Sequence, residues 1–263
     1  REIFVPRENA REAALIREIS VFPVDTLKEL IAHLERRKDQ LGQELSIPPQ
    51  PKTEIDSSAR ESDIDLSDIR GQESGKRALT IAAAGKHNLA MWGPPGTGKT
   101  MLAKALTGIL PPLSFEDVME VTGIHSIAGV LGGDLVVHPP FRAPHHTASH
   151  VAIVGGGANV KPGEITLAHR GVLFLDEFPE FDRRVIESLR EPLEERVISI
   201  SRSKGSARFP AHFILVAAMN PCPCGNWGIR GKECLCPAGA IERYRRKMSG
   251  PIVDRMDLWV EVS

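Results

Sequence analysis

The sequence predicts an α/β layered domain, a parallel sheet between helices, from about Ile64 to the last residue, and three observations predict it. Short apolar stretches alternate with stretches of helical character. The first apolar stretch runs into a glycine-rich octet, Gly93-Pro94-Pro95-Gly96-Thr97-Gly98-Lys99-Thr100, that opens a helix. The second, Val172-Leu173-Phe174-Leu175, ends on two adjacent acids, Asp176 and Glu177.

Each element follows in order. Residues 1–45 read as helix, short strand and helix. Asn9 stands near the N-cap of the first helix, and Ser20–Val24 is a strand or turn. Asp25 is the expected cap of a second helix, whose Leu27, Leu30, Ile31 and Leu34 fall at helical spacing. So small a piece buries little surface by itself. Residues 46–65, with Pro48, Pro49 and Pro51, several serines and mixed charges, read as a linker. The domain proper occupies 66–263. In it, His87–Trp92, Gly171–Leu175 and Phe213–Met219 read as strands, and Thr100–Leu110 and Arg183–Glu195 as helices. Ile198–Arg202 and Ser206–Phe209 flank a Ser203-Lys204-Gly205 tip, the pattern of a β-hairpin.

Composition narrows the function classes. A formal charge of −1 over 263 residues gives no global attraction to nucleic acid, so any such contact must come from a local basic surface. Aromatic residues make up only 5%, which disfavours broad base-stacking platforms. No apolar run reaches the ~18 residues of a membrane helix, and no signal peptide is visible. All four cysteines fall between 222 and 236, which points to a cytoplasmic metal site rather than scattered disulfides. The chain starts at Arg1 and stops within a strand-like run, Leu258–Val262, so both ends read as cut.

The octet is built for phosphate. Its glycines let backbone N–H groups turn inward, and the helix N-terminus adds positive partial charge. Lys99 is placed to neutralise β- and γ-phosphates, and the Thr100 hydroxyl to ligate Mg²⁺. Asp176 sits where open α/β sheets bind ligands and is the second Mg²⁺ candidate, while Glu177 is the acid that orients or deprotonates the attacking water. Having both acids argues against a pure nucleotide-binding switch. Asn220 ends the third strand, either to position the lytic water or to form a turn with Pro221. Arg255 lies between Asp254 and Asp257, either in a structural ion pair or as an arginine finger reaching a neighbouring subunit.

These motifs resemble the AAA+ ATPases, and several stretches narrow the resemblance to the magnesium-chelatase-like branch known as YifB or ComM. They are Asp68-Ile69-Arg70-Gly71-Gln72, Pro140-Phe141-Arg142-Ala143-Pro144-His145-His146-Thr147, Val154-Gly155-Gly156-Gly157, Pro162-Gly163-Glu164-Ile165 and Asn220-Pro221-Cys222-Pro223-Cys224-Gly225. The resemblance runs over the whole chain. It implies that 1–45 is the end of a Lon-protease-like domain, that 66–263 is an AAA+ core, and that a helical lid is absent from this chain. It further implies ATP with Mg²⁺ as cofactors, a homo-hexamer, and branch-migration helicase work on DNA in natural transformation or recombination. Carried over by position, Lys99, Thr100, Asp176, Glu177 and Asn220 are the nucleotide site. Arg255 becomes the finger in trans, and Ile69, Gly71 and Gln72 lie near the adenine.

Cys222-Pro-Cys224 and Cys234-Leu-Cys236 form two pairs separated by nine residues. Four thiolates around one Zn²⁺ would fix the loop and leave no open position for catalysis, although one intervening residue strains each pair. An unmetallated thiol loop and disulfides are the alternatives. The hairpin cations Arg202, Lys204 and Arg208 are either phosphate contacts to DNA or ordinary surface charge. Arg243, Arg245, Arg246 and Lys247 read as a subunit-facing or solvent face. Arg142, His145 and His146 belong either to a substrate-facing loop or to a hydrogen-bonded turn, and His125 and His169 read as structural. The motifs by themselves serve a DNA motor and a chelatase-like or chaperone-like protein-remodelling factor equally well.

Overall fold

The computed structural model describes residues 1–38, 45–53, 64–132, 135–157, 160–202, 205–229, 231–248 and 250–263. They form two compact units, one of Arg1–Asp56 with Gly132–Leu135, the other of Ser57–Leu131 with Val136–Ser263.

In the first unit β1 (Glu2–Pro6) pairs in parallel with β2 (Ser20–Val24), with α1 (Ala10–Ala13) between them and α2 (Leu27–Leu34) after them. Residues 2–6 lack bounding turn signals, so β1 is visible only through its pairing with β2. Phe4 stacks on Phe22 with ring centroids 5.2 Å apart, and His33 packs against both. The cap of α2 is Thr26, whose hydroxyl accepts from the Glu29 N–H; Asp25 stands one residue too early and instead binds Arg7 at 2.6 Å. Asn9 precedes α1 but makes no side-chain cap bond. Part of the expected linker is laid along this unit. Gln50 N–H donates to the Val21 carbonyl, Thr53 N–H to Ala14, and Ile47, itself buried, to His33 Nδ1.

The second unit begins α3 (Glu73–Gly85), β3 (Leu89–Trp92), α4 (Lys99–Ile109), α5 (Phe115–Ala128) and β4 (Phe141–Arg142). It continues with α6 (His150–Val154), β5 (Gly155–Gly156), β6 (Lys161–Pro162), α7 (Glu164–Leu167) and β7 (Val172–Leu175). Then come α8 (Arg183–Ser188), α9 (Arg190–Glu195), β8 (Val197–Arg202), β9 (Gly205–Pro210) and β10 (Ile214–Met219). It ends with α10 (Ala238–Arg246), α11 (Gly250–Val253) and β11 (Leu258–Glu261). Five strands make one sheet in the order β11-β3-β10-β7-β4, every pairing parallel.

The strands read as unbroken apolar runs because both faces are covered. Leu89, Met91, Val172, Phe174, Ile214, Val216 and Ala218 point to the face packed by α3 and α4 through Leu79, Leu102 and Leu106. Their alternates Ala90, Leu173, Leu175, Leu215, Ala217 and Met219 point to the other face, packed by α6, α8 and α9 through Ile153, Val185, Ile186 and Leu193. Each fully buried Leu or Phe side chain contributes roughly 1.5–3 kcal/mol. The helix expected over 183–195 is split at Leu189. Pro192 has no N–H for the Ser188 carbonyl, so the ladder is interrupted there. β8 and β9 pair antiparallel as the expected hairpin, from Val197 opposite Pro210 to Arg202 opposite Gly205.

Candidate nucleotide site

The parallel sheet delivers every strand's C-terminal end to one edge, and the candidate residues collect there. β3 feeds the octet, β7 feeds Asp176 and Glu177, β10 feeds Asn220, and β4 feeds the His145-His146 segment. The first octet residue must be glycine, because a Cβ at Gly93 would stand 1.9 Å from the Val262 carbonyl oxygen. Gly96 and Gly98 take φ of +82° and +87°, which turns the loop toward the first turn of α4. The N–H groups of that turn have no intrahelical acceptor and face the loop.

Lys99 is buried, with Nζ 2.8 Å from the Gly93 carbonyl, 2.8 Å from that of Pro94 and 3.4 Å from Asn220 Oδ1. Burial holds its pKa below the ordinary lysine value, and Asp176 opposes that pull. The Thr100 hydroxyl donates to Asp176 Oδ2 at 3.0 Å. That separation is about the cis edge of an octahedron with ~2.1 Å bonds, so the pair fits two adjacent Mg²⁺ ligands. The second Asp176 oxygen accepts the Glu177 N–H at 2.9 Å. Glu177 itself adopts φ +53°, an uncommon conformation for a residue with a side chain.

Glu177 Oε2 lies 2.9 Å from His146 Nδ1. Sequence reasoning left His146 outside the nucleotide site, since nothing in the local pattern shows which strand end a histidine after β4 will face. A cleft of about 340 Å³ is lined by Thr100, Asp176, Glu177, Phe174 and the Ala143–His146 segment. Two contacts hold that segment. Arg142 donates from Nε and Nη2, one edge of its guanidinium, to both Glu164 carboxylate oxygens at 2.6 and 2.7 Å, and the His145 ring bonds the Thr147 hydroxyl at 2.8 Å. The Glu164 hydrogen bonds raise Arg142 above the ordinary arginine value against the effect of burial. This stretch is therefore a hydrogen-bonded turn whose 143–146 segment lines the cleft.

Ile69 is buried against α4, and Gly71 and Gln72 take φ of +64° and +57° on the approach to α3. The Gln72 amide donates to the Thr97 carbonyl at 3.4 Å and to that of Ser263 at 2.6 Å, which ties the approach to the octet. Asn220 is held from behind by Tyr244, which shares a hydrogen bond with its backbone.

Cys222, Cys224, Cys234 and Cys236 bring their sulfurs within 4.8 Å of one another. The 222–224, 222–234 and 224–234 separations are 3.4, 3.7 and 3.7 Å. A zinc tetrahedron with ~2.3 Å bonds needs sulfurs about 3.8 Å apart, so the donors fit. The Asn226 backbone N–H and the neighbouring Cys222 and Cys236 thiols pull the Cys224 thiol down to about 6.

The cations divide differently. Arg255 pairs with Glu194 at 2.7 Å, the intrachain alternative left open by its sequence. Arg208 lies 3.7 Å from Glu195. Arg202 ends β8, while Lys204 falls outside the described residues. In the basic run, Arg246 binds Glu242, Lys247 binds Glu180, and Arg245 stacks over Trp227 at 4.1 Å. His125 bonds the Leu167 carbonyl, and His169 joins Glu120 to the His212 N–H, so both serve the core. Among the described residues, no helix is long and apolar enough to cross a membrane.

A five-stranded parallel sheet with a phosphate loop after one strand and paired acids after another defines an AAA+ P-loop fold. The family model for magnesium chelatase, subunit ChlI, matches residues 65–263, and the chain belongs to that family. The chain is 46% identical to the uncharacterized protein YifB of Salmonella typhimurium, covering 100% of this chain and 50% of that protein. It is 45% identical to competence protein ComM of Haemophilus influenzae, again over 100% of this chain and 50% of the relative. The chain thus spans half the length of these curated relatives. A chain from the complex between subunits BchI and BchD of magnesium chelatase superposes with a TM-score of 0.54 at 24% identity, covering 77% of this chain and 62% of that one. That likeness concerns the fold alone.

Proposed function

We propose that this chain is the ATP-binding and ATP-hydrolysing core of a ring-forming motor that remodels DNA. The observation carrying the hydrolytic part is the convergence at one sheet edge of Lys99 with Asn220, and of Thr100 with Asp176 beside Glu177. In this reading the inward N–H groups of the octet and the Lys99 ammonium hold the β- and γ-phosphates. Thr100 and Asp176 would hold Mg²⁺, which would neutralise charge on the phosphate oxygens. Glu177 takes a proton from water as its oxygen attacks the γ-phosphorus, and the bond to the β-phosphate oxygen breaks. The Asn220 amide orients that water. Ile69, Gly71 and Gln72 border the adenine. Arg255 acts in trans within a homo-hexamer, after exchanging Glu194 for a neighbour's γ-phosphate.

The remaining assignments belong to the same reading. The four cysteines hold Zn²⁺, residues 1–45 close off a preceding Lon-protease-like domain, 46–65 join it to the core at 66–263, and the protein works in the cytoplasm. The DNA assignment is supported by a relative named as a competence protein, and by the β8–β9 hairpin with Arg202, Lys204 and Arg208 as its phosphate contacts. The chelatase family itself favours a second reading, in which the same site drives remodelling of a protein partner. ATP turnover of the full-length protein with and without branched DNA separates the two. Stimulation by DNA that Lys204→Ala and Arg208→Ala abolish supports the first reading, and turnover indifferent to DNA supports the second.

A further inference from the structure

Residues 221–237 run from Asn220 to α10 with no regular secondary structure among those described, yet they touch the phosphate loop. Asn220 is in reach of Lys99 Nζ, and Cys222, two residues on, is fully buried. The chain then turns back, with the Gly225 N–H on the Cys222 carbonyl at 2.9 Å. This brings the Gly225 main chain onto the octet: a Cβ built there would stand 2.6 Å from Cδ of Pro95 and 3.2 Å from its Cγ. The next turn is anchored to sulfur, because the Trp227 N–H donates to Cys222 Sγ at 3.3 Å. The Asn226 amide crosses the loop to the Glu233 carbonyl at 3.4 Å.

We propose that the four-cysteine loop is a clasp on the phosphate loop, so that the metal closing it sets nucleotide affinity. This rests on the metal reading above. A loop without ladder hydrogen bonds must be closed against its own conformational entropy, and four sulfurs sharing one cation do that. Closed, the loop seats Gly225 against Pro95 and keeps Asn220 beside Lys99. Opened, it withdraws one wall of the octet, and the phosphate-binding N–H groups lose their fixed aim.

Two glycines supply a test that spares the metal ligands. Gly225 and Gly228 share nearly the same left-handed backbone, φ +77° and +76°, but a Cβ at Gly228 meets nothing within 4 Å. Alanine therefore imposes like backbone strain at both positions and presses on the phosphate loop only at 225. The measurement is bound zinc by atomic absorption together with affinity for a fluorescent ADP, on the full-length protein. We expect one zinc per chain in the wild type, Gly225→Ala and Gly228→Ala. We also expect ADP affinity about ten-fold weaker in Gly225→Ala and within about two-fold of wild type in Gly228→Ala. Chelation should weaken ADP affinity by a similar factor, with restoration on adding zinc alone. Equal affinities in the two alanine variants, or in zinc-free and zinc-loaded protein, would overturn the clasp. A wild type without zinc overturns the metal reading, and a persisting 225/228 difference then shows that the metal and not the contact was wrong. Should chelation unfold the chain, which circular dichroism reads directly, the glycine pair decides.

Discussion

Lys99 and Arg255 are both cations of the ATPase-type core, and their surroundings differ. The Lys99 ammonium is buried among three neutral oxygens, two carbonyls and the Asn220 amide. Arg255, about half exposed, has a carboxylate of its own chain at 2.7 Å. A buried charge hydrogen-bonded only to dipoles, with the Asp176 carboxylate acting on it from beyond that shell, is only partly compensated, and an incoming phosphate gains from what remains. A paired surface charge must first give up its partner, which in water has a modest cost. The difference separates a cation held by dipoles from one held by a carboxylate; under the proposed function the first binds phosphate and the second becomes available on assembly.

The sharpest way to break this contrast is Lys99→Ala. Affinity for ATP with Mg²⁺ should fall by about 10³-fold, read by titration of a fluorescent ATP on protein whose fold is checked by circular dichroism. Undiminished affinity would place the phosphates elsewhere. Next comes the strand that carries the acids. Leu175 is fully buried immediately before Asp176, so Leu175→Ala should destabilise the core by about 2–5 kcal/mol in urea unfolding. Arg255→Ala should cost no more than about 1 kcal/mol in the same experiment, since both members of its pair are partly exposed. A loss comparable with that of Leu175→Ala would make Arg255 a structural residue.

The last effect, confined to acid pH, concerns His212, on the approach to β10. Burial first, then Arg196, Arg170, Lys86 and His169, hold its pKa down at about 4 against an ordinary 6.5. The folded state therefore favours neutral His212. Its contribution is complete above pH ~6.5 and is lost as pH falls from there through about 4. His212→Gln should flatten the fall of the urea midpoint over that window relative to wild type.

The same contrast explains what could be read beforehand. The octet and the Asp176-Glu177 pair were legible because their chemistry needs those residue types contiguous in the chain, at a strand end. The two-sided sheet was legible from its continuous apolar runs. The contact between Glu177 and His146 was not, because it depends on how the loop after β4 is pinned by Arg142 and Glu164, residues far apart in sequence. Arg255, in the turn after α11, stayed undecided for the same reason: its partner Glu194 lies on α9, far back in the sequence. At α2 the error was local. Asp25 and Thr26 are both good caps, and the binding of Asp25 to Arg7 leaves the position to Thr26. The split near Leu189 was available in the sequence through Pro192, but apolar periodicity across 183–195 masked it.

The most direct measurement is steady-state ATP turnover of the full-length protein, with and without Glu177→Gln, alongside ATP affinity. The substitution keeps the size of the side chain and removes the base. The account predicts turnover lower by about 10²–10⁴-fold with affinity within about three-fold of wild type. Turnover that survives Glu177→Gln would contradict the assignment of the catalytic edge.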